Sequence, residues 1–101
     1  MTIEKTVNGN EITLKLTGWL DTASAPELGA AGEGIDSASA IILDFENVEY
    51  IASAGLRQVV AFRKKAMDLN ADFSVINAGK EVMSIFRMTC LDKKINITGK
   101  Q

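Results

Sequence analysis

A chain of 101 residues with 47% hydrophobic and 24% charged side chains has the size and balance of one compact domain, expected to span 1–101. Its net charge of −2, with 11 Lys and Arg against 13 Asp and Glu, excludes a broad duplex nucleic-acid surface, which needs cations in local excess. There is no histidine and one cysteine, which removes Ser-His and Cys-His nucleophile pairs, most zinc sites and any internal disulfide.

The start Met1-Thr2-Ile3-Glu4-Lys5 lacks the basic and apolar pattern of a secretion signal. No apolar run approaches the ~20 residues of a bilayer span, so a cytoplasmic protein without membrane insertion is expected. Ile3 and Val7, then Ile12, Leu14 and Leu16, alternate with polar residues, and Asn8-Gly9-Asn10 supplies hairpin-turn chemistry between them. After Gly18-Trp19-Leu20-Asp21, Ser24 and Glu27 match a capping box, Pro26 suits a first helical turn, and Leu28, Ala31 and Ile35 recur at helical spacing. Gly29 and Gly32 inside that helix cost about 1 kcal/mol each against alanine, which predicts a helix that is short, irregular or pressed onto a neighbour.

The short apolar run Ala40 to Leu43 predicts a central strand covered on both faces. A second helix is predicted from about Gly55 to Leu69, with Leu56, Val59, Val60 and Met67 as its apolar face. Asp72 to Ile76 reads as a strand, Val82, Ile85 and Phe86 as the face of a third helix, and Ile95-Asn96-Ile97 as a last strand. The order β-β-α-β-α-β-α-β predicts an α/β domain: a mixed sheet opened by an N-terminal hairpin, right-handed connections, and helices mainly on one face. Cys90, beside Met88 and Leu91, is expected to be a buried structural thiol.

Ser53-Ala54-Gly55-Leu56 follows the strand aspartate Asp44 and heads the second helix, where backbone N–H groups and the helix dipole favour negative charge. Ser53 therefore either caps the helix or seats a phosphate. Asp21 and Asp44 each follow a predicted strand and are expected to flank Ser53, bracing its loop by accepting backbone N–H bonds. A metal between them is the alternative; bracing needs no further component, and no metal or other cofactor is expected. Trp19 continues the outward parity of Thr13, Lys15 and Thr17, so it is either an interface anchor or a lid over the core edge. The glycine-rich run Gly29 to Gly34 lacks a following Lys-Ser/Thr, and Glu33 would repel a phosphate, so it is read as structural. Arg63-Lys64-Lys65 is read as the solvated side of a helix.

The runs from Gly18-Trp19-Leu20-Asp21 to Leu28, from Ile42-Leu43-Asp44 to Ser53-Ala54-Gly55-Leu56-Arg57, and from Val82 to Asp92 resemble the STAS family over essentially the whole chain. Within that family they look like the single-domain anti-sigma-factor antagonists. The resemblance implies a STAS-like fold and a partner switch. A serine kinase that doubles as an anti-sigma factor binds the unmodified protein and phosphorylates it, the phosphorylated form lets go, and a metal-dependent serine phosphatase resets it. The commonest family pattern places an Asp and two hydroxyl residues before Gly-Leu, where this chain has Ala52, Ser53 and Ala54. A branch carrying Ser-Ser-Ala-Gly-Leu-Arg matches better and assigns the phosphosite to Ser53 alone. With the bracing read above, the expected support for its loop is Asp21, Asp44 and Gly55, and the expected partner contacts are Trp19, placed beside Ser53 by strand parity, with Ala54, Leu56 and Arg57 at the start of the second helix. No turnover of its own is expected. The alternative is a phosphorylation-independent scaffold subunit of a transport or stress-signalling complex; a small nucleotide-binding module rests on the helix start alone.

Overall fold

The structure, a computed structural model, describes residues 1–100. Strands β1 (Thr2–Asn8) and β2 (Glu11–Leu20) run antiparallel and pair Asn8 with Glu11 across the two-residue turn Gly9-Asn10. Gly9, at φ +63°, takes the left-handed conformation that the first central position of such a turn demands. Then follow α1 (Ala25–Glu33), β3 (Ala40–Ile51), α2 (Ser53–Asp68), β4 (Asp72–Ala78), α3 (Lys80–Met88), a single 3-10 turn (Leu91–Lys93) and β5 (Asn96–Gly99). The sheet order is β1-β2-β3-β4-β5, with all neighbours after the hairpin parallel. The predicted element order and mixed sheet are both present.

One face of the sheet makes the core. Ile12, Leu14, Leu16 and Leu20 of β2, Ile41, Leu43 and Phe45 of β3 and Val75 of β4 are buried together with Leu28 of α1, Val59 and Phe62 of α2, and Val82 and Phe86 of α3. The Phe45 and Phe86 rings meet at 5.9 Å. The opposite face, with Thr13, Lys15, Ile42, Asp44, Ser74 and Ile76, is only half-buried. This corrects the expectation that β3 is covered on both faces. The strand is also far longer than the run Ala40 to Leu43. Its register against β2 steps from Lys15↔Asp44 to Thr17↔Asn47 and from Gly18↔Val48 to Trp19↔Tyr50, so β3 carries an extra residue at each step. Each bulge resets the in-out alternation, leaving Phe45, Val48 and Ile51 inward and the pairs between them exposed, which erases the period-2 signal.

Helix α1 is short and pressed onto α2: a Cβ on Gly32 would stand 2.9 Å from Phe62 Cζ. The expected capping box is absent, because Ser24 at the N-cap makes no side-chain cap bond and turns its hydroxyl back toward β2. In α2 the core face is Gly55, Val59, Phe62 and Ala66; Val60 and Met67 are 43% and 60% exposed and do not belong to it. Spacing alone could not choose between two adjacent valines. Cys90 is exposed, not buried, since the chain leaves α3 through a left-handed residue there (φ +61°) and swings the thiol off the core.

Candidate functional site

Strands β2 and β3 end side by side, with Leu20 paired to Ile51, and the Ala52 N–H donates to the Leu20 carbonyl at 2.9 Å. The chain then turns directly into α2. Ala52, extended at φ −101° and ψ 176°, is the N-cap and offers no side-chain acceptor, and the first turn holds no acidic residue. The positive end of α2 is therefore uncompensated by any local carboxylate or hydroxyl cap. Ser53 is the first helical residue and exposed, so it is not the cap.

Gly55 lets this turn come so close to the sheet. It is buried, and a Cβ there would lie 2.9 Å from Ile51 Cγ1 and closer still to Leu20. Leu56 is half-buried and Arg57 exposed, one turn beyond Ser53. Leu56, Val60 and Met67, at spacings of four and seven, form an apolar stripe along α2 that begins beside Ser53 and Ala54; Leu56 also packs on the core edge, while Val60 and Met67 are exposed.

Asp21 heads the β2–α1 turn. Its Oδ1 accepts the N–H of Ala23 at 3.1 Å and of Ser24 at 3.0 Å and meets Ser24 Oγ at 3.1 Å. Ser24 Oγ in turn accepts the Asp21 N–H at 2.9 Å and donates to the Trp19 carbonyl at 2.6 Å. The Ser24 backbone N–H above all, with the Ala23 N–H, holds the Asp21 carboxyl below the ordinary carboxylate range against an opposing effect of burial. These bonds brace Asp21's own turn, which leads out of Leu20.

Asp44 lies elsewhere. It sits inside β3, seven residues before the strand's last residue Ile51 and roughly 20 Å from that end at strand rise. Its Oδ1 accepts the Glu46 N–H at 3.0 Å and the Asn77 amide at 3.0 Å, tying β3 to β4. The expectation that Asp44 flanks Ser53 is corrected: the strand does not end where its apolar run ends.

Trp19 is 57% exposed. Its neighbour Leu20 points into the helix layer, so the indole projects from the opposite sheet face, where it bonds Glu49 and packs on Tyr50. Trp19 and Ser53 thus occupy the same sheet end on different sides. Glu49 and Tyr50 went unsingled in the sequence because the bulge that aims them leaves no periodic signal. Among the described residues no group of three or more His, Cys, Asp or Glu could hold a metal, and no helix is long and apolar enough to cross a membrane.

The family described as Mlab, STAS domain matches residues 3–98. No curated protein matches the chain. Among solved structures, an anti-sigma factor antagonist from Mycobacterium paratuberculosis superposes with TM-score 0.87 at 25% identity, covering 96% of this chain and 84% of its own. An anti-sigma-factor antagonist (STAS) domain protein from Planctomyces limnophilus gives 0.80 at 16% identity over 98% of this chain and 90% of that one. A sulfate transporter family protein from Wolinella succinogenes gives 0.81 at 12% identity over 93% and 80%. The last two are likenesses of fold.

Proposed function

The chain belongs to the STAS domain family, and on that premise we propose that it is a non-enzymatic anti-sigma-factor antagonist working in the cytoplasm as a phosphorylation-controlled partner switch. The unmodified form binds a serine kinase that also acts as an anti-sigma factor, through Ser53, Ala54, Leu56, Arg57 and the outer stripe of α2. Phosphorylation of Ser53 ends the complex, and a metal-dependent serine phosphatase restores it.

The observation that carries this reading is the bare start of α2: an alanine N-cap, no first-turn acid, and an exposed serine as the first helical residue. A phosphate there adds roughly −1.5 to −2 charge and three acceptor oxygens. It meets unpaired N–H groups and the positive end of the dipole, an interaction of about 0.3–1 kcal/mol in favour of the modified domain. A partner packed on the same turn instead meets repulsion and the desolvation of a dianion. The domain keeps its fold while the complex is lost. With no histidine in the chain to activate the hydroxyl, the kinase brings the nucleotide, the metal and the proton acceptor. The M. paratuberculosis relative at 25% identity supports the direction of this assignment.

The alternative, a scaffold subunit that needs no modification, draws on the same stripe of Leu56, Val60 and Met67, which can dock a partner in the unmodified state, and on the presence of a transporter family protein among the structural neighbours. Tagged wild-type protein and the variants Ser53→Ala and Ser53→Asp, recovered from the source cells, separate the two. The switch requires phosphopeptides covering Ser53 and an ATPase-fold kinase that comes down with wild type and Ser53→Ala but not with Ser53→Asp. Equal recovery with both variants assigns the scaffold role.

A further inference from the structure

The second bulge of β3 builds something the fold does not need. Gly18 faces Val48 and Trp19 faces Tyr50, so Glu49 is the inserted residue, and two consecutive side chains, Glu49 and Tyr50, stand exposed against one indole. The Trp19 and Tyr50 rings are 57% and 45% exposed, 5.5 Å apart with planes at 51°. The Trp19 Nε1–H donates to Glu49 Oε2 at 3.1 Å. That bond uses the indole's one donor and fixes its plane, while the carboxylate keeps lone pairs to spare. What remains open to solvent is ring faces of negative quadrupole beside an anion. Glu46, on the same bulged stretch, lines an adjoining cleft with Glu49 and Lys100, and Lys100 holds its ammonium 3.0 Å from the Glu46 carbonyl.

We propose that Trp19, Tyr50 and Glu49 form a seat for an arginine side chain of a protein partner, its guanidinium lying over the exposed aromatic faces and pairing with Glu49. Arginine fits better than lysine because its planar, weakly hydrated cation both stacks and donates in a fork. The rings and carboxylate are already held to one another, so little side-chain freedom is lost on docking. The seat opens on the sheet face away from the helices, and so it stands or fails apart from the Ser53 switch.

Trp19 is the only tryptophan, so its emission reports this site directly. The intact protein is titrated with an amidated peptide of three Arg-Gly repeats and with its citrulline counterpart, equal in shape and uncharged. A saturable emission change is expected with the arginine peptide, with affinity at least ten-fold weaker for the citrulline peptide. Glu49→Gln keeps an acceptor for the indole and removes only charge, and it should weaken arginine-peptide binding at least five-fold. Glu33→Gln, exposed on α1, should leave binding unchanged. No saturable change, equal binding of citrulline, or an equal loss in Glu33→Gln and Glu49→Gln overturns the proposal.

Discussion

Gly55 and Leu20 touch with no room between them: a Cβ on Gly55 would stand 2.7 Å from the Leu20 Cγ and 2.7 Å from the Leu20 carbonyl oxygen. That same carbonyl accepts the Ala52 N–H, so one point on β2 fixes both the cap and the first turn of α2. Gly55→Ala must push the helix start off the sheet, and overpacking of this kind destabilises by about 1–3 kcal/mol. Gly34→Ala is the control. Its added methyl finds its nearest heavy atom, the Ala31 carbonyl oxygen, at 3.7 Å, and stability should hold or rise slightly. Urea unfolding of both variants checks the contrast, and equal stabilities would remove the close contact as an explanation for this glycine.

Asp21 gives the domain an acid-sensitive turn. Its carboxyl lies below the ordinary range because the Ser24 N–H, and after it the Ala23 N–H, favour the charged form. A carboxylate depressed on folding contributes stability that is full above its unfolded value, near pH ~3.9, and is lost as pH falls through the folded value. The stability gap between wild type and Asp21→Asn should therefore be largest at neutral pH and close as the solution is made more acid than about pH 4. Denaturant midpoints over that range test it. A gap that does not narrow would mean that the charge is immaterial to the turn.

Where the backbone is regular, the fold was readable. The hairpin, the three helices and the order of elements follow from turn chemistry and from periods of two and 3.6. Sequence periodicity loses its signal where the geometry departs from those periods. Beyond Leu43 two inserted residues scramble the alternation of β3, and this alone misplaced Asp44 at a strand end and hid Glu49 and Tyr50. Val59 and Val60 are equally apolar, yet only Val59 meets the core, because the choice belongs to the sheet beneath α2. The apolar neighbours of Cys90 suggest burial, whereas a left-handed backbone at the end of α3 decides its exposure. Of the candidate site, the exposed serine and the close-packed glycine were legible as a motif; the absence of a side-chain cap became meaningful only once Ala52 was placed as N-cap.

Asp44 joins the backbone of the first bulge to Asn77, a residue at φ +58° near the end of β4. Asp44→Asn weakens both bonds by removing the charge and should cost about 1 kcal/mol of stability. Amide exchange should quicken at Glu46 and around Asn77 and stay unchanged from Ala52 to Leu56. Faster exchange at Ser53 would restore a connection between this carboxylate and the switch turn.

Val59 and Val60 are adjacent on α2, with Val59 fully buried and Val60 43% exposed, which makes them a matched pair for separating core from docking surface. Val59→Glu buries an unpaired carboxylate and should unfold the domain or leave it several kcal/mol less stable. Val60→Glu puts the charge in solvent, in good helix-forming chemistry and four residues ahead of Lys64, with which it can pair, so stability should stay within about 0.5 kcal/mol of wild type. The same substitution interrupts the stripe of Leu56, Val60 and Met67 that starts at Ser53. Partner recovery from source cells should then fall with Val60→Glu as steeply as with Ser53→Asp, while circular dichroism melts remain those of wild type. If Val60→Glu folds and still brings down the full amount of partner, the outer face of α2 is not the surface that docks.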